Sequence, residues 1–270
     1  MIAPHKNLVL FDMDGTITPA RKPIEWEMVK VLARLSKLAD VGIVTGSGFD
    51  YLVEQCKTMW TDIGSVPMQS ISLMPCNGTQ LFLANKFRWD LTYTKDMRKS
   101  IGKDKYRELV SIILGAQKKL VKHPMMNLPF TGNFISYRQS LLNWCPIGRD
   151  ANDEDRKEFK LFDKEYGYRM KAKKKLEKTF VKCGIAGLEI ALGGQTSLDI
   201  FPKGWNKSFA LTHFPDREIW FVGDRCTGGG NDHAIYDELK KKDKAFQTVG
   251  PKETIQIIEE LIIPNLQVGI

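Results

Sequence analysis

Apolar residues fall along this chain in short blocks that stop abruptly at polar ones. Leu8-Val9-Leu10-Phe11 runs straight into Asp12-Met13-Asp14-Gly15-Thr16-Ile17-Thr18. An unbroken apolar run of this length predicts a strand buried on both faces, as in a parallel sheet. From Glu25 to Leu38 the apolar residues Met28, Val31, Leu32 and Leu35 recur at helical spacing, which predicts a helix. Val41-Gly42-Ile43-Val44 repeats the buried-strand pattern and ends at Thr45-Gly46-Ser47-Gly48; Tyr51–Trp60 predicts the next helix. Strand alternating with helix implies a parallel sheet with crossover connections.

The pattern then changes. Asn77-Gly78 signals a turn, with Leu81-Phe82-Leu83 behind it. Helices are predicted from Lys103 to about His123, over Asn152–Tyr166 and over Tyr168–Cys183, and extended chain over Phe134–Trp144 and Gly187–Ile200. Long strands beside amphipathic helices predict an α+β module with an antiparallel sheet. Lys207 opens a further helix, and Glu218-Ile219-Trp220-Phe221-Val222 is a third buried strand, ending at Gly223-Asp224 and Gly228-Gly229-Gly230-Asn231-Asp232. The expected organisation is an α/β core in two parts, 1–84 and 204–270, interrupted by an inserted module, 85–203. Composition places hinges near Leu83–Asn85 and Pro202–Gly204.

Composition narrows the class. Hydrophobic residues make up 43% and charged residues 27% of 270 positions, which is ordinary for a globular protein able to bury a full core. No apolar run is long enough for a membrane span, and Leu8–Phe11 is too short for a secretory leader. The five cysteines are scattered without a C-x-x-C pair, so neither a zinc site nor a disulfide framework is indicated and a reduced, cytoplasmic setting is expected. The net charge of +8 is concentrated in Lys164–Lys182, where Leu176, Phe180 and Val181 recur at helical spacing. That is the solvated face of a helix. No nucleic-acid module accompanies it, and attraction of a small phosphorylated substrate is the more economical use of the charge.

The candidate chemistry sits where strands end. Alternation in an extended segment points Asp12 and Asp14 the same way. Like charges that close are costly unless a cation lies between them. A calcium loop starting at Asp12 would need Glu at its twelfth position, and Pro23 stands there. Strand ends in a parallel sheet converge on one edge, where ligands bind. Asp12 with Asp14, Thr45 with Ser47, and Asp224 with Asn231 and Asp232 should therefore meet, with Lys207 nearby.

These four groups, in this order, resemble the motifs of the haloacid dehalogenase superfamily of phosphotransferases. Within the insert, Tyr137-Arg138-Gln139-Ser140-Leu141-Leu142-Asn143, Pro146-Ile147-Gly148-Arg149, Asp155-Arg156 and Gly193-Gly194…Ser197-Leu198-Asp199-Ile200-Phe201-Pro202-Lys203-Gly204-Trp205-Asn206-Lys207 resemble the eukaryotic-type phosphomannomutases, nearly end to end. The resemblance implies a Rossmann-like core with a large inserted α+β cap domain. It implies Asp12 as a nucleophile that forms an aspartyl-phosphate, and Mg2+ held by Asp12, Asp224 and the carbonyl of Asp14, with Asn231 and Asp232 orienting groups around the metal. Thr45 or Ser47 would hydrogen-bond the transferring phosphoryl group, Lys207 would neutralise its charge, and Asp14 would act as general acid and base. The matched positions also make Arg138, Arg149 and Arg156 holders of the phosphate that is not reacting, Arg21 a substrate contact, and Ser197 and Asp199 contacts to sugar hydroxyls. A second ion site would fall at the Tyr236 carbonyl and Glu238. The implied reaction interconverts mannose 6-phosphate and mannose 1-phosphate, activated by a hexose 1,6-bisphosphate and feeding GDP-mannose synthesis, in a homodimer paired through the cap.

The chain departs from the family pattern at several positions. Gly48 stands for Asp, Arg225 for Lys, Cys226-Thr227-Gly228 for Thr-Met-Pro, and Gln139-Ser140 for Asn-Gly. Thr45 is closer to the hydrolase version of its motif. The competing readings are a magnesium-dependent sugar-phosphate phosphatase on the same fold and a non-catalytic binding protein, against which the retention of Asp12, Asp14, Asp224 and Lys207 argues.

Overall fold

A computed structural model describes residues 5–85, 88–122 and 128–268 of the 270-residue chain. It divides into two compact units, residues 1–94 with 205–270, and residues 95–204.

The first unit is built on β1 (Asn7–Phe11), α1 (Trp26–Leu35), β2 (Asp40–Val44), α2 (Phe49–Cys56), the short α3 (Thr58–Thr61), β3 (Ile71–Met74), β4 (Gln80–Asn85) and β5 (Arg88–Thr94). The second unit follows, with α4 (Met97–Ile101), α5 (Lys103–Val121), β6 (Ile135–Tyr137), β7 (Leu142–Trp144), α6 (Asp153–Tyr166), α7 (Tyr168–Lys182), β8 (Leu188–Gly193) and β9 (Ser197–Pro202). The chain then returns to the first unit with β10 (Glu218–Gly223), α8 (His233–Lys240), β11 (Ala245–Gln247) and a helical run from α9 (Pro251–Gln256) to α10 (Ile263–Val268).

The seven strands of the first unit lie in the order β11-β10-β1-β2-β3-β4-β5. The five from β11 to β3 are parallel, while β4 and β5 pair antiparallel. Pleat alternation sends Val9 and Phe11 into one core, with Met28, Leu32 and Ile258, and Leu8 and Leu10 into the other, with Phe221, Ile235 and Leu239. Both faces are covered, which is why β1 and β2 read as unbroken apolar runs. The α/β class with a parallel, Rossmann-like core is as expected.

The second unit carries a four-stranded antiparallel sheet, β6-β7-β9-β8, beside its helices. Asn152 caps α6 with a complete capping box to Asp155, a local signal that fixes the helix start. Phe159 is fully buried among Leu120, Cys145 and Ile147.

Several boundaries differ from the sequence reading. The core does not end at residue 84. β4 runs to Asn85 and pairs along β5, so the division falls between Thr94 and Lys95 and between Gly204 and Trp205. The suggested hinge at Leu83–Asn85 lies inside a paired strand. Mostly exposed β5 (RWDLTYT) and Ser-containing β3 carried no expectation. The helix after Lys207 is a 3-10 segment, Lys207–His213, closed by Phe214-Pro215 because proline cannot donate the next helical hydrogen bond. The long extended segment at 187–200 is the hairpin of β8 and β9, turned at Gly194. The expected end of α5 at His123 lies outside the described residues.

One turn locks the first unit near its strand ends. Gly78 has φ +80°, and its carbonyl accepts a 2.7 Å hydrogen bond from His213 Nε2. A Cβ there would meet the Ala210 backbone nitrogen at 2.8 Å. Gly78→Ala therefore combines left-handed strain with a clash against rigid backbone and should destabilise the fold by roughly 1–3 kcal/mol, read as a lower urea midpoint at unchanged slope.

Candidate active site

β1, β2 and β10 are adjacent and parallel, so their carboxyl ends open onto one edge of the sheet. Asp12 follows β1 directly, and its backbone N–H donates to the Val222 carbonyl of β10 at 2.9 Å. That bond carries the sheet register one residue into the catalytic segment. Asp224 follows β10, and Asp232 begins α8. Ligating oxygens of Asp12, Asp224 and Asp232 all lie within 4.8 Å of one another.

Lys207 is completely buried and lies between two of these carboxylates. Its Nζ donates to Asp12 Oδ1 and, at 2.5 Å, to Asp232 Oδ1. The second Asp232 oxygen accepts from the Arg225 N–H at 3.0 Å. Asp12 and Asp232 share this ammonium, and Asp224 has only the Arg225 guanidinium, at 3.6 Å. Burial pushes the Asp12 carboxyl up to about 8 against the pull of Lys207, and Asp232 and Asp224 add to the rise. Burial raises Asp224 as well, with Arg225 opposing. Burial works against the Lys207 charge, but Asp12 and Asp232 outweigh it and hold the ammonium above its ordinary range. A cation among the carboxylates reverses this logic and favours their ionised forms.

The residues present fit such a cation. Asp224 Oδ1 and Asn231 Oδ1 are buried and find no hydrogen-bond partner among the described residues. A polar atom left this way costs about 1–3 kcal/mol, and an oxygen-seeking ion would satisfy both. Gly15 (φ +89°) leaves the room beside them, since a Cβ there would come within 2.6 Å of Asp224 Oδ2.

Asp14 stands half-buried at the same edge. Its Oδ1 accepts from the Arg21 N–H at 2.8 Å and from the Tyr51 hydroxyl at 3.0 Å. Thr45 is buried at the end of β2, and its Oγ1 accepts the Ser47 N–H at 3.1 Å. The turn at Asn77 (φ +62°) anchors this loop by donating to the Thr45 carbonyl at 2.8 Å. The expected residues of the first unit thus gather at one edge, except for the second ion site. Glu238 is exposed and lines a surface cavity of about 260 Å3 with Arg217, Lys242 and Lys244. The Tyr236 ring lies under Lys240 Nζ. Among the described residues, no group of three ligating side chains forms there.

The second unit gathers the remaining residues. β7 and β9 are paired with Asn143 opposite Asp199. Asn143 Nδ2 donates to Asp199 Oδ1 at 2.6 Å, and Arg149 Nη1 donates to Asn143 Oδ1 at 3.2 Å. Asn143 is buried and ties an arginine to a carboxylate. Gly148 (φ +95°) makes the turn that delivers Arg149, because any side chain there would strike the Gly132 carbonyl. Burial, and then Arg138, push the Arg149 guanidinium below its ordinary range, with Arg156 contributing. The Asp199 carboxylate opposes that fall. Arg156 faces inward: its nitrogens donate to the Ala151 carbonyl, Thr196 Oγ1 and the Arg149 carbonyl at 2.9, 3.0 and 2.7 Å. It braces the backbone of Arg149. Ser197 and Asp199 are both buried, and Gly193 of β8 leaves room for the Asp199 carboxylate.

The model of the eukaryotic phosphomannomutase family matches residues 28–264. The chain belongs to that family. It is 32% identical over 267 residues to a probable phosphomannomutase of Caenorhabditis elegans, covering 96% of this chain and 97% of that one. It is 33% identical over 261 residues to the phosphomannomutase of Saccharomyces cerevisiae, covering 95% and 94%. Family members are isomerases that move a phosphoryl group, and this chain is an enzyme of that class. An IMP-bound Plasmodium falciparum IMP-nucleotidase mutant superposes with a TM-score of 0.64 at 16% identity, over 96% of this chain and 67% of that one. A trehalose-6-phosphate phosphatase related protein gives 0.53 at 15% identity, over 97% and 99%. At such identities the likeness is one of fold, the haloacid dehalogenase fold.

Two residues outside the expected set emerge. Asn143 lay within a quoted motif, and its signal was a polar residue alone between Leu142 and Trp144 on a buried strand. Tyr51 gave only its place at the start of a helix that follows a strand end. Replacing the carboxylate whose Oδ1 is left without a partner tests the cation fit. Asp224→Asn should weaken Mg2+ binding at least about tenfold by isothermal titration calorimetry, and unchanged affinity refutes the assignment.

Proposed function

We propose that the protein interconverts mannose 6-phosphate and mannose 1-phosphate through an aspartyl-phosphate on Asp12, with a hexose 1,6-bisphosphate as activator. The product would enter GDP-mannose synthesis in the cytoplasm. The observation that carries this reading is the second anion site. Arg149, held by Asn143 and backed by Arg156, lies with Arg138 in the unit that lacks the carboxylate cluster. A simple phosphatase needs no holder for a phosphate that does not react, whereas a mutase must grip both ends of a bisphosphate in turn.

The residues divide the work. Asp12 attacks phosphorus in line, and the sugar oxygen departs with a proton from Asp14. Lys207 keeps Asp12 oriented and offsets negative charge on the transferring group. The Thr45 and Ser47 loop supplies donors to the phosphoryl oxygens. Asp12, Asp224 and the Asp14 carbonyl would hold Mg2+, with Asn231 and Asp232 behind them. When bound, the ion neutralises the phosphate and polarises it for attack. Arg149, held by Asn143 and backed by Arg156, grips the distal phosphate together with Arg138; Arg21 is a substrate contact in the first unit. Ser197 and Asp199 accept or donate to sugar hydroxyls.

A second reading, a magnesium-dependent sugar-phosphate phosphatase, is favoured by one feature, the Thr45 hydroxyl where mutases of this family tend to glycine. One assay separates them. Pure protein with Mg2+ and mannose 1-phosphate, with and without hexose 1,6-bisphosphate, should yield mannose 6-phosphate only when the activator is present; release of inorganic phosphate alone supports the phosphatase. Asp12→Asn should abolish both activities. Arg149→Ala should reduce mutase turnover at least tenfold more than hydrolysis of a small phosphate ester, and equal losses count against the distal-phosphate role.

We further propose a homodimer paired through the inserted unit. Leu114 and Val121, two turns apart on α5, are both about half exposed and give that helix apolar surface for a partner. Light scattering should report about twice the 30.7 kDa chain mass; a monomer at micromolar concentration contradicts the proposal.

A further inference from the structure

The surroundings of Asp14 are lopsided. Its Oδ1 accepts two hydrogen bonds, from the Arg21 N–H and from the Tyr51 hydroxyl, while Oδ2 has no recorded donor among the described residues. An oxygen that accepts two such bonds has both lone pairs engaged. A proton reaching this carboxyl group therefore goes to Oδ2.

Both donors are built in rather than incidental. Arg21 holds φ +62°, a left-handed conformation that a side-chain-bearing residue adopts only under constraint, and this turns its N–H back toward Asp14. Tyr51 is the third residue of α2, whose first residue is pinned by stacking of Phe49 on Phe82 at 3.9 Å and 18°. Leu52, next to Tyr51, is fully buried and fixes the rotation of the helix. The hydroxyl thus reaches Asp14 from 37 residues away on a rigid element.

We propose that Tyr51 is a positioning residue for proton transfer at Asp14. This inference rests on Asp14 being the general acid and base of the reading above. The hydroxyl stops rotation of the carboxyl group and reserves Oδ2 for exchange with the sugar. When a sugar hydroxyl attacks the aspartyl-phosphate, its O–H bond breaks as the new oxygen–phosphorus bond forms. The phosphorus–Asp12 bond breaks, and its electron pair returns to the Asp12 carboxylate. The proton goes to Asp14 Oδ2. In the opposite direction Oδ2 returns that proton to the departing sugar oxygen. Tyr51 keeps its own proton throughout, because a phenol is a far weaker acid than a carboxylic acid.

The step that needs this proton is cleavage of a sugar–phosphate bond, since an alkoxide leaves poorly. Acetyl phosphate releases acetate, which needs none. Tyr51→Phe removes the hydroxyl and keeps the ring. The test measures phosphorylation of Asp12 in single turnovers, with Mg2+, from glucose 1,6-bisphosphate and from acetyl phosphate. The ratio of the two rates should fall about tenfold in Tyr51→Phe, a fraction of what a positioned acid contributes in full. A ratio within one preparation is insensitive to any loss of folded protein. If wild type takes phosphate from both donors and the ratio is the same in the variant, the Tyr51 assignment is overturned and the proposed function stands. If wild type takes phosphate from neither, the proposed function falls and this inference with it.

Discussion

One buried ammonium holds the first unit's chemistry in place. Lys207, with no exposed surface, lies between Asp12 and Asp232, and those carboxylates come from opposite ends of the chain. Removing one partner from a buried ion pair generally costs roughly 3–5 kcal/mol, because the other charge is left without compensation. The constraint therefore ties the loop after β1, the start of α8 and the segment that follows the inserted unit to one arrangement. It also leaves an imbalance. Lys207 pairs with two of the three clustered carboxylates, the third has Arg225 at 3.6 Å, and Asp224 Oδ1 and Asn231 Oδ1 are buried and unsatisfied among the described residues. The protein folds around a site whose electrostatics a cation would complete.

The second unit solves a different problem with the same economy. An arginine proposed to grip phosphate must be held in place without being neutralised. Arg149 reaches Asn143, an uncharged amide, and only through it the carboxylate of Asp199. Arg156 supports the Arg149 carbonyl rather than its guanidinium. The positive charge stays available, and the turn that carries it is fixed by Gly148, where no side chain fits.

The carboxylates proposed for phosphoryl transfer and for proton transfer are held by separate supports. Asp12 is anchored by Lys207 and by the backbone bond to Val222, and Asp14 by Arg21 and Tyr51. The two carboxylates are two residues apart, yet one lies in a buried charge network and the other is half-exposed beside neutral donors. Different surroundings suit neighbouring carboxylates to the different roles proposed for them.

The apolar runs at Leu8–Phe11, Val41–Val44 and Ile219–Val222 were enough to call for a parallel core, because burial on both sheet faces leaves no polar position in the strand. The residues that end those runs follow from the same pattern, since parallel strands bring their carboxyl ends to one edge. The extent of the core was not legible. β5 is mostly exposed, so its membership in the sheet depends on pairing with β4 and not on its own composition. Nor did the pattern reveal Tyr51 against Asp14, Asn143 between Arg149 and Asp199, the inward turn of Arg156 or the exposure of Glu238. Sequence alone determined which local segments become strands and which chemical groups stand at their ends, because those depend on near neighbours. Which side chains meet across tens or hundreds of residues was decided only by the tertiary structure, because such contacts depend on how the elements pack.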